Sequence, residues 1–108
     1  MQHNSKRKPQ VSKPWIMDFC RRWRITEFAF FGSVLRRDFG PGSDVDVLVS
    51  FSPEADWGLW DHIRMEEELS QQFGRKVDLM TRRSIEHSHN WLLKQEILGT
   101  AEVIYGSG

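Results

Sequence analysis

One cysteine in 108 residues, Cys20, excludes an internal disulfide framework. It has no Cys-x-x-Cys pattern and no adjacent histidine, so it suits neither a redox pair nor a zinc site. It reads instead as a core thiol in a protein of the reducing cytoplasm. Net charge is lacking as well. Fifteen basic residues balance fifteen acidic ones, which argues against a strong general affinity for nucleic acid and leaves any such binding to a local patch. No apolar run is long enough for a membrane span or a secretion signal, and there is no internal repeat. The length leaves room for one small domain with a single core, and not for a second domain that would enclose a substrate.

Against these absences stands one dense stretch. Phe28-Ala29-Phe30-Phe31 is an apolar run ending in Gly32-Ser33, and ten residues later Asp44-Val45-Asp46-Val47-Leu48-Val49 begins a second run with two alternate aspartates. On a strand, side chains alternate between faces, so Asp44 and Asp46 share one face and Val45, Val47 and Val49 share the other. Two like charges are thereby held roughly 6–7 Å apart, and a divalent cation is the natural reason to hold them there. Mg²⁺ takes few protein carboxylates and fills its remaining positions with water and substrate phosphates, so the pair points to a nucleoside triphosphate. Gly32 would let the backbone approach the phosphates, and Ser33, opening a short helix, would offer N–H groups and a hydroxyl.

Paired aspartates alone are weak evidence, since they also occur in turns and calcium loops. The calcium-loop pattern fails because Val47, Leu48 and Val49 stand where further oxygen ligands and a glycine are needed. Glycosyltransferases also use Asp-x-Asp, usually in larger domains.

Gly32-Ser33, ten residues, then Asp44-x-Asp46 matches the G-S-x10-D-x-D signature of the polymerase β-like nucleotidyltransferase superfamily. Over about residues 15–105 the chain most resembles the minimal nucleotidyltransferases (MNT), the antitoxins paired with HEPN toxins. The resemblance rests on Phe-Gly-Ser with Arg36 following, Ser43-Asp44-Val45-Asp46, the acidic segment Met65-Glu66-Glu67-Glu68-Leu69, and Gly74-Arg75-Lys76-Val77-Asp78-Leu79. It implies an α+β (mixed α/β) nucleotidyltransferase fold, a small mixed sheet with helices packed on it. It implies a third carboxylate, Asp78, and two Mg²⁺ ions held by Asp44, Asp46 and Asp78. ATP would be the substrate, with Gly32, Ser33 and Arg36 on its phosphates. The implied acceptor is a tyrosine hydroxyl of a HEPN toxin, which adenylylation would silence. Two other readings stay open: a silent antitoxin that neutralises its partner by covering it, and adenylylation of a small molecule.

In chain order, residues 1–13 are basic and almost free of apolar side chains, as in a disordered tail, and residues 14–106 form the domain. Ile16, Phe19, Cys20 and Trp23 recur at helical spacing behind Pro14. Residues 26–31 read as a strand buried on both faces. Residues 33–37 suggest a short helix and Gly40-Pro41-Gly42 a turn. The connection is too short for a parallel crossover, so the first two strands should be antiparallel. A helix over 57–73 carries Leu59, Trp60, Ile63, Met65, Leu69 and Phe73 on a wide arc and ends at Gly74. Glu66 falls within that arc, as a residue reaching an edge or water or as a partner that orients Arg36. A third strand over 76–81 should return parallel through a right-handed crossover. Trp91, Leu92, Gln95, Ile97 and Leu98 suggest a helix ending near Gly99, followed by a short strand at 103–105. His87 and His89 have no further ligand nearby and read as solvated.

Overall fold

The computed structural model describes residues 12–32 and 44–106. Residues 1–11, the helix expected at 33–37, the Gly40-Pro41-Gly42 turn and the last two residues lie outside the described residues.

Helix α1 spans Lys13–Arg22. Ser12 caps it by accepting the Trp15 N–H at 3.2 Å, Pro14 occupies the first turn, where no amide donor is needed, and Ile16, Phe19 and Cys20 form the buried stripe. Strands β1 (Ile25–Phe31) and β2 (Val45–Phe51) pair antiparallel, as their short connection requires. Helix α2 (Leu59–Phe73) follows. The Asp61 carboxylate accepts the Gly58 N–H at its start, and Gly74, at φ 71°, closes its end by donating to the Ser70 carbonyl. Strand β3 (Val77–Thr81) returns parallel to β2, and strand β4 (Glu102–Gly106) pairs antiparallel with β1, giving the order β3-β2-β1-β4. The mixed sheet with packed helices is the α+β architecture expected.

Side-chain alternation divides the core into two layers. Phe28, Phe30, Val45, Val47, Val49, Val77 and Leu79 face α1 and α2, where they meet Phe19, Cys20, Met65 and Leu69. Ala29, Phe31 and Leu48 face the other way and meet Ile85 and Ile97. Those two residues belong to α3 (Arg82–Glu86) and α4 (Trp91–Thr100). The short α3 has no apolar period to announce it. Its signal is local, since the Thr81 hydroxyl accepts the Ser84 N–H at 3.0 Å.

Two stretches of expected core turn outward. Leu59 and Trp60 are 72% and 80% exposed. Met65 and Leu69 set the direction in which α2 meets the sheet, and at 100° per residue Trp60 lies about 140° from Met65. Trp57 takes the place beside the core instead, edge-on to Trp23 with its indole N–H donated to the Trp23 carbonyl at 2.7 Å. In α4 only Ile97 is fully buried, while Trp91 and Leu92 are exposed.

Candidate active site

Pairing register decides which acidic side chains meet. Asp46 is the cross-strand partner of Phe31 in β1 and of Asp78 in β3. Asp46 and Asp78 thus stand side by side at the ordinary strand spacing of about 4.8 Å, on the face shared with Ala29 and Leu48. Both are partly exposed, and Val45 and Val77 beside them point into the opposite layer. The alternation that buries four valines is what presents the two carboxylates.

Gly32 follows β1 directly and has φ +67°. A Cβ at this position would lie 2.6 Å from Asp46 Oδ2, so the backbone lies against the carboxylate in a way only glycine permits, in a conformation glycine adopts at little cost. Ser33 and Arg36, expected on the phosphates, lie outside the described residues.

Asp44 is exposed and precedes β2 by one residue, outside the register that fixes Asp46 and Asp78. Among the described residues, no three His, Cys, Asp or Glu side chains converge closely enough to hold an ion. The sheet therefore unites Gly32, Asp46 and Asp78 but does not close a three-carboxylate cage with Asp44. A pair of hard oxygen donors on an accessible face still fits Mg²⁺, which is commonly bound by one or two carboxylates together with substrate phosphates.

The remaining candidates separate from this centre. His87 and His89 are exposed. A cavity of about 670 Å³ lies at the opposite end of β2 and β3, lined by Val49, Phe51, Trp57, Met65, Thr81 and Arg82 among others. Glu66 does not simply meet water: its Oε2 accepts the Leu79 N–H at 2.8 Å, and Ser70 Oγ accepts the Val77 N–H at 3.1 Å. Whether Glu66 orients Arg36 falls outside the described residues. The signal for the observed role was an i, i+4 polar pair on an otherwise apolar arc of a helix leading into an edge strand.

Comparison with known proteins agrees with this fold. Residues 16–104 match the nucleotidyltransferase domain family model. The chain is 37% identical over 86 residues to MJ0435 of Methanocaldococcus jannaschii, named as a candidate protein adenylyltransferase, covering 80% of this chain and 86% of that protein. Its fold is similar to a chain of a toxin–antitoxin complex with AMP-PNP, with a TM-score of 0.68, 18% identity, and coverage of 90% of this chain and 75% of the other. It is also similar to a chain in the complex of tri-AMPylated Shewanella oneidensis HEPN toxin with MNT antitoxin, with a TM-score of 0.60, 18% identity, and coverage of 99% and 74%. The matched family segment contains β1 to β3 and with them Gly32, Asp44, Asp46 and Asp78. The chain belongs to the nucleotidyltransferase domain family.

Proposed function

We propose that this protein transfers AMP from ATP to a tyrosine hydroxyl of a HEPN-type toxin and so acts as its antitoxin. The observation that carries this reading is the pairing of Asp46 with Asp78 on the accessible face, with the Gly32 backbone against Asp46. Support also comes from the adenylyltransferase name of the M. jannaschii relative and the likeness in fold to an antitoxin bound to an AMPylated toxin.

Asp46 and Asp78 would hold Mg²⁺, with Asp44 drawn in from the start of β2 as the nucleotide binds, and the metal when bound stabilises charge on the attacking and leaving oxygens. Gly32 and Ser33 take the β- and γ-phosphates through backbone N–H groups and a hydroxyl, and Arg36 neutralises charge on the same tail. The acceptor oxygen attacks the α-phosphorus, the bond from that phosphorus to the bridging oxygen breaks, and pyrophosphate leaves with the electron pair. Asp78 stands on the acceptor side and takes the hydroxyl proton. Cys20, buried as a thiol, takes no part. Among the described residues no helix is long and apolar enough to cross a membrane, and we place the reaction in the cytoplasm.

The test is a mass measurement. Incubated with ATP, Mg²⁺ and a HEPN-type partner, the protein should add about 329 Da to the partner per AMP transferred. Asp78→Asn should abolish the addition while partner binding survives. Neutralisation of the partner by the wild-type protein with no change in mass would overturn transfer in favour of a cover-and-block antitoxin.

A further inference from the structure

Among the described residues, the outer edge of β3 is closed by side chains rather than by another strand. β3 ends the sheet, and an edge strand leaves alternate amides without a ladder partner. Two of these belong to Val77 and Leu79, the residues on either side of Asp78. Each is met from α2: Ser70 Oγ accepts from Val77 at 3.1 Å and Glu66 Oε2 from Leu79 at 2.8 Å. Glu66 and Ser70 are four residues apart and so occupy one helix face. Met65 and Leu69 next to them are fully buried under the sheet, which ties this face of α2 to the core.

We infer that Glu66 and Ser70 are positioning residues that fix the β3 backbone on both sides of Asp78 and so set its carboxylate beside Asp46. The inference rests on the reading of Asp78 as a metal-binding and acceptor-side carboxylate, and it adds residues that never touch substrate. Asp78 points to the face opposite α2, since its neighbours Val77 and Leu79 belong to the α1–α2 layer. The two caps therefore act through the backbone and not as ligands. Their placement goes beyond satisfying buried polar groups in general, because they bracket this one residue. A lost cap leaves an amide of a buried residue without its acceptor, Leu79 being 4% exposed. The cheapest response is for the edge strand to shift, and with it Asp78. His62 lies 3.7 Å from Glu66 through its Nε2 and flanks the carboxylate without replacing its hydrogen bond to Leu79.

The experiment compares Glu66→Ala, Glu66→Gln and Ser70→Ala in the full chain, each also combined with Asp78→Asn. Mn²⁺ binding followed by electron paramagnetic resonance gives a readout that does not depend on turnover. Transfer kinetics with ATP, Mg²⁺ and the HEPN-type partner give a second. Glu66→Ala should weaken Mn²⁺ binding and lower kcat by about 10- to 100-fold, the range seen when an outer partner of a metal ligand is removed. The KM for ATP should change by less than about twofold. Glu66→Gln keeps an oxygen acceptor of the same reach and should restore most of both. In the Asp78→Asn background Glu66→Ala should add nothing further. Unchanged Mn²⁺ affinity in folded Glu66→Ala, or an equal loss with and without Asp78, would overturn the inference. If Glu66→Ala does not fold, Ser70→Ala decides in the same way from the other flank. A wild type that transfers no AMP but loses Mn²⁺ affinity on Glu66→Ala only when Asp78 is intact would sink the proposed function and leave the positioning role standing.

Discussion

The two faces of the sheet are built from the same strands and do different work. On the α1–α2 face the centre of the layer is buried, from Phe28 and Phe30 through Val45, Val47 and Val49 to Val77 and Leu79, with Phe51, Ile104 and Tyr105 partly buried at its margin. On the other face Ala29, Phe31 and Leu48 meet Ile85 and Ile97, with Leu98 and Ala101 partly covering them, and the rows end in the partly exposed Asp46 and Asp78. One layer holds the fold together. The other gives up coverage, and two carboxylates meet solvent there. Because side chains alternate along β2 and β3, a slip of one residue there would exchange the layers. The packed face thus fixes the register that sets Asp46 beside Asp78.

The largest expected effect is on the packed face. Phe28 is fully buried and makes edge contacts with Phe19 and Phe30. Phe28→Ala should cost about 3–5 kcal/mol of stability in chemical denaturation. A loss below about 1 kcal/mol would mean that this layer is not the one that holds the fold.

Gly32→Ala probes the other face and should be milder in stability and more specific in chemistry. Its left-handed φ of +67° disfavours any Cβ, a cost of about 1–2 kcal/mol. The new methyl would also press on Asp46 Oδ2, and the carboxylate must swing aside. AMP transfer per folded molecule should fall by at least about tenfold, since about 1.4 kcal/mol of lost alignment suffices for that. Transfer at the wild-type rate would separate Gly32 from the site.

Cys20 reports how dry the packed face is. Burial pushes its thiol up to about 12, because the thiolate cannot be solvated there. The folded chain keeps the proton that the unfolded chain releases, so the stabilising effect is whole below pH 9 and is lost as pH rises from 9 toward 12. At pH 10 the loss should be on the order of 1 kcal/mol relative to Cys20→Ala measured alongside. Disulfide reagents at pH 8 should label Cys20 only as fast as the chain unfolds. Rapid labelling of the native protein would show that water reaches this layer.

The packed layer was almost wholly legible in the sequence. Helical spacing marked Ile16, Phe19 and Cys20, strand alternation marked the valines, and the short connection marked the antiparallel pair. These patterns repeat, and repetition is what a sequence displays. The Asp46–Asp78 pair was legible for the same reason, since Asp46 lies between core residues Val45 and Val47 and Asp78 between Val77 and Leu79. Asp44 was harder to place, because alternation gives a face but does not show where the ladder stops. The hydrogen bonds from Val77 and Leu79 to α2 depend on β3 being an edge, a property of the assembled sheet. The apolar residues of α2 and α4 misled most. Composition shows that Trp60 and Trp91 could be buried, but only the direction of each helix against the sheet decides whether they are.

Those tryptophans carry the smallest expected effect. Trp60 is 80% exposed and Trp91 62% exposed, each in the first turn of its helix. An aromatic side chain that meets water in both the folded and unfolded states gains little from folding, so its removal forfeits little transfer free energy. Serine in a first turn is also well tolerated, where the last unpaired amides can use its hydroxyl. Trp60→Ser and Trp91→Ser should each change stability by no more than about 0.5 kcal/mol, the range for surface substitutions away from special features. The measurement is a denaturation midpoint at two protein concentrations. A loss of about 2 kcal/mol at both would place these rings inside the fold and erase the difference between the closed and open layers. A loss that grows with protein concentration would instead mean that another copy of the chain covers them, since association stabilises by mass action.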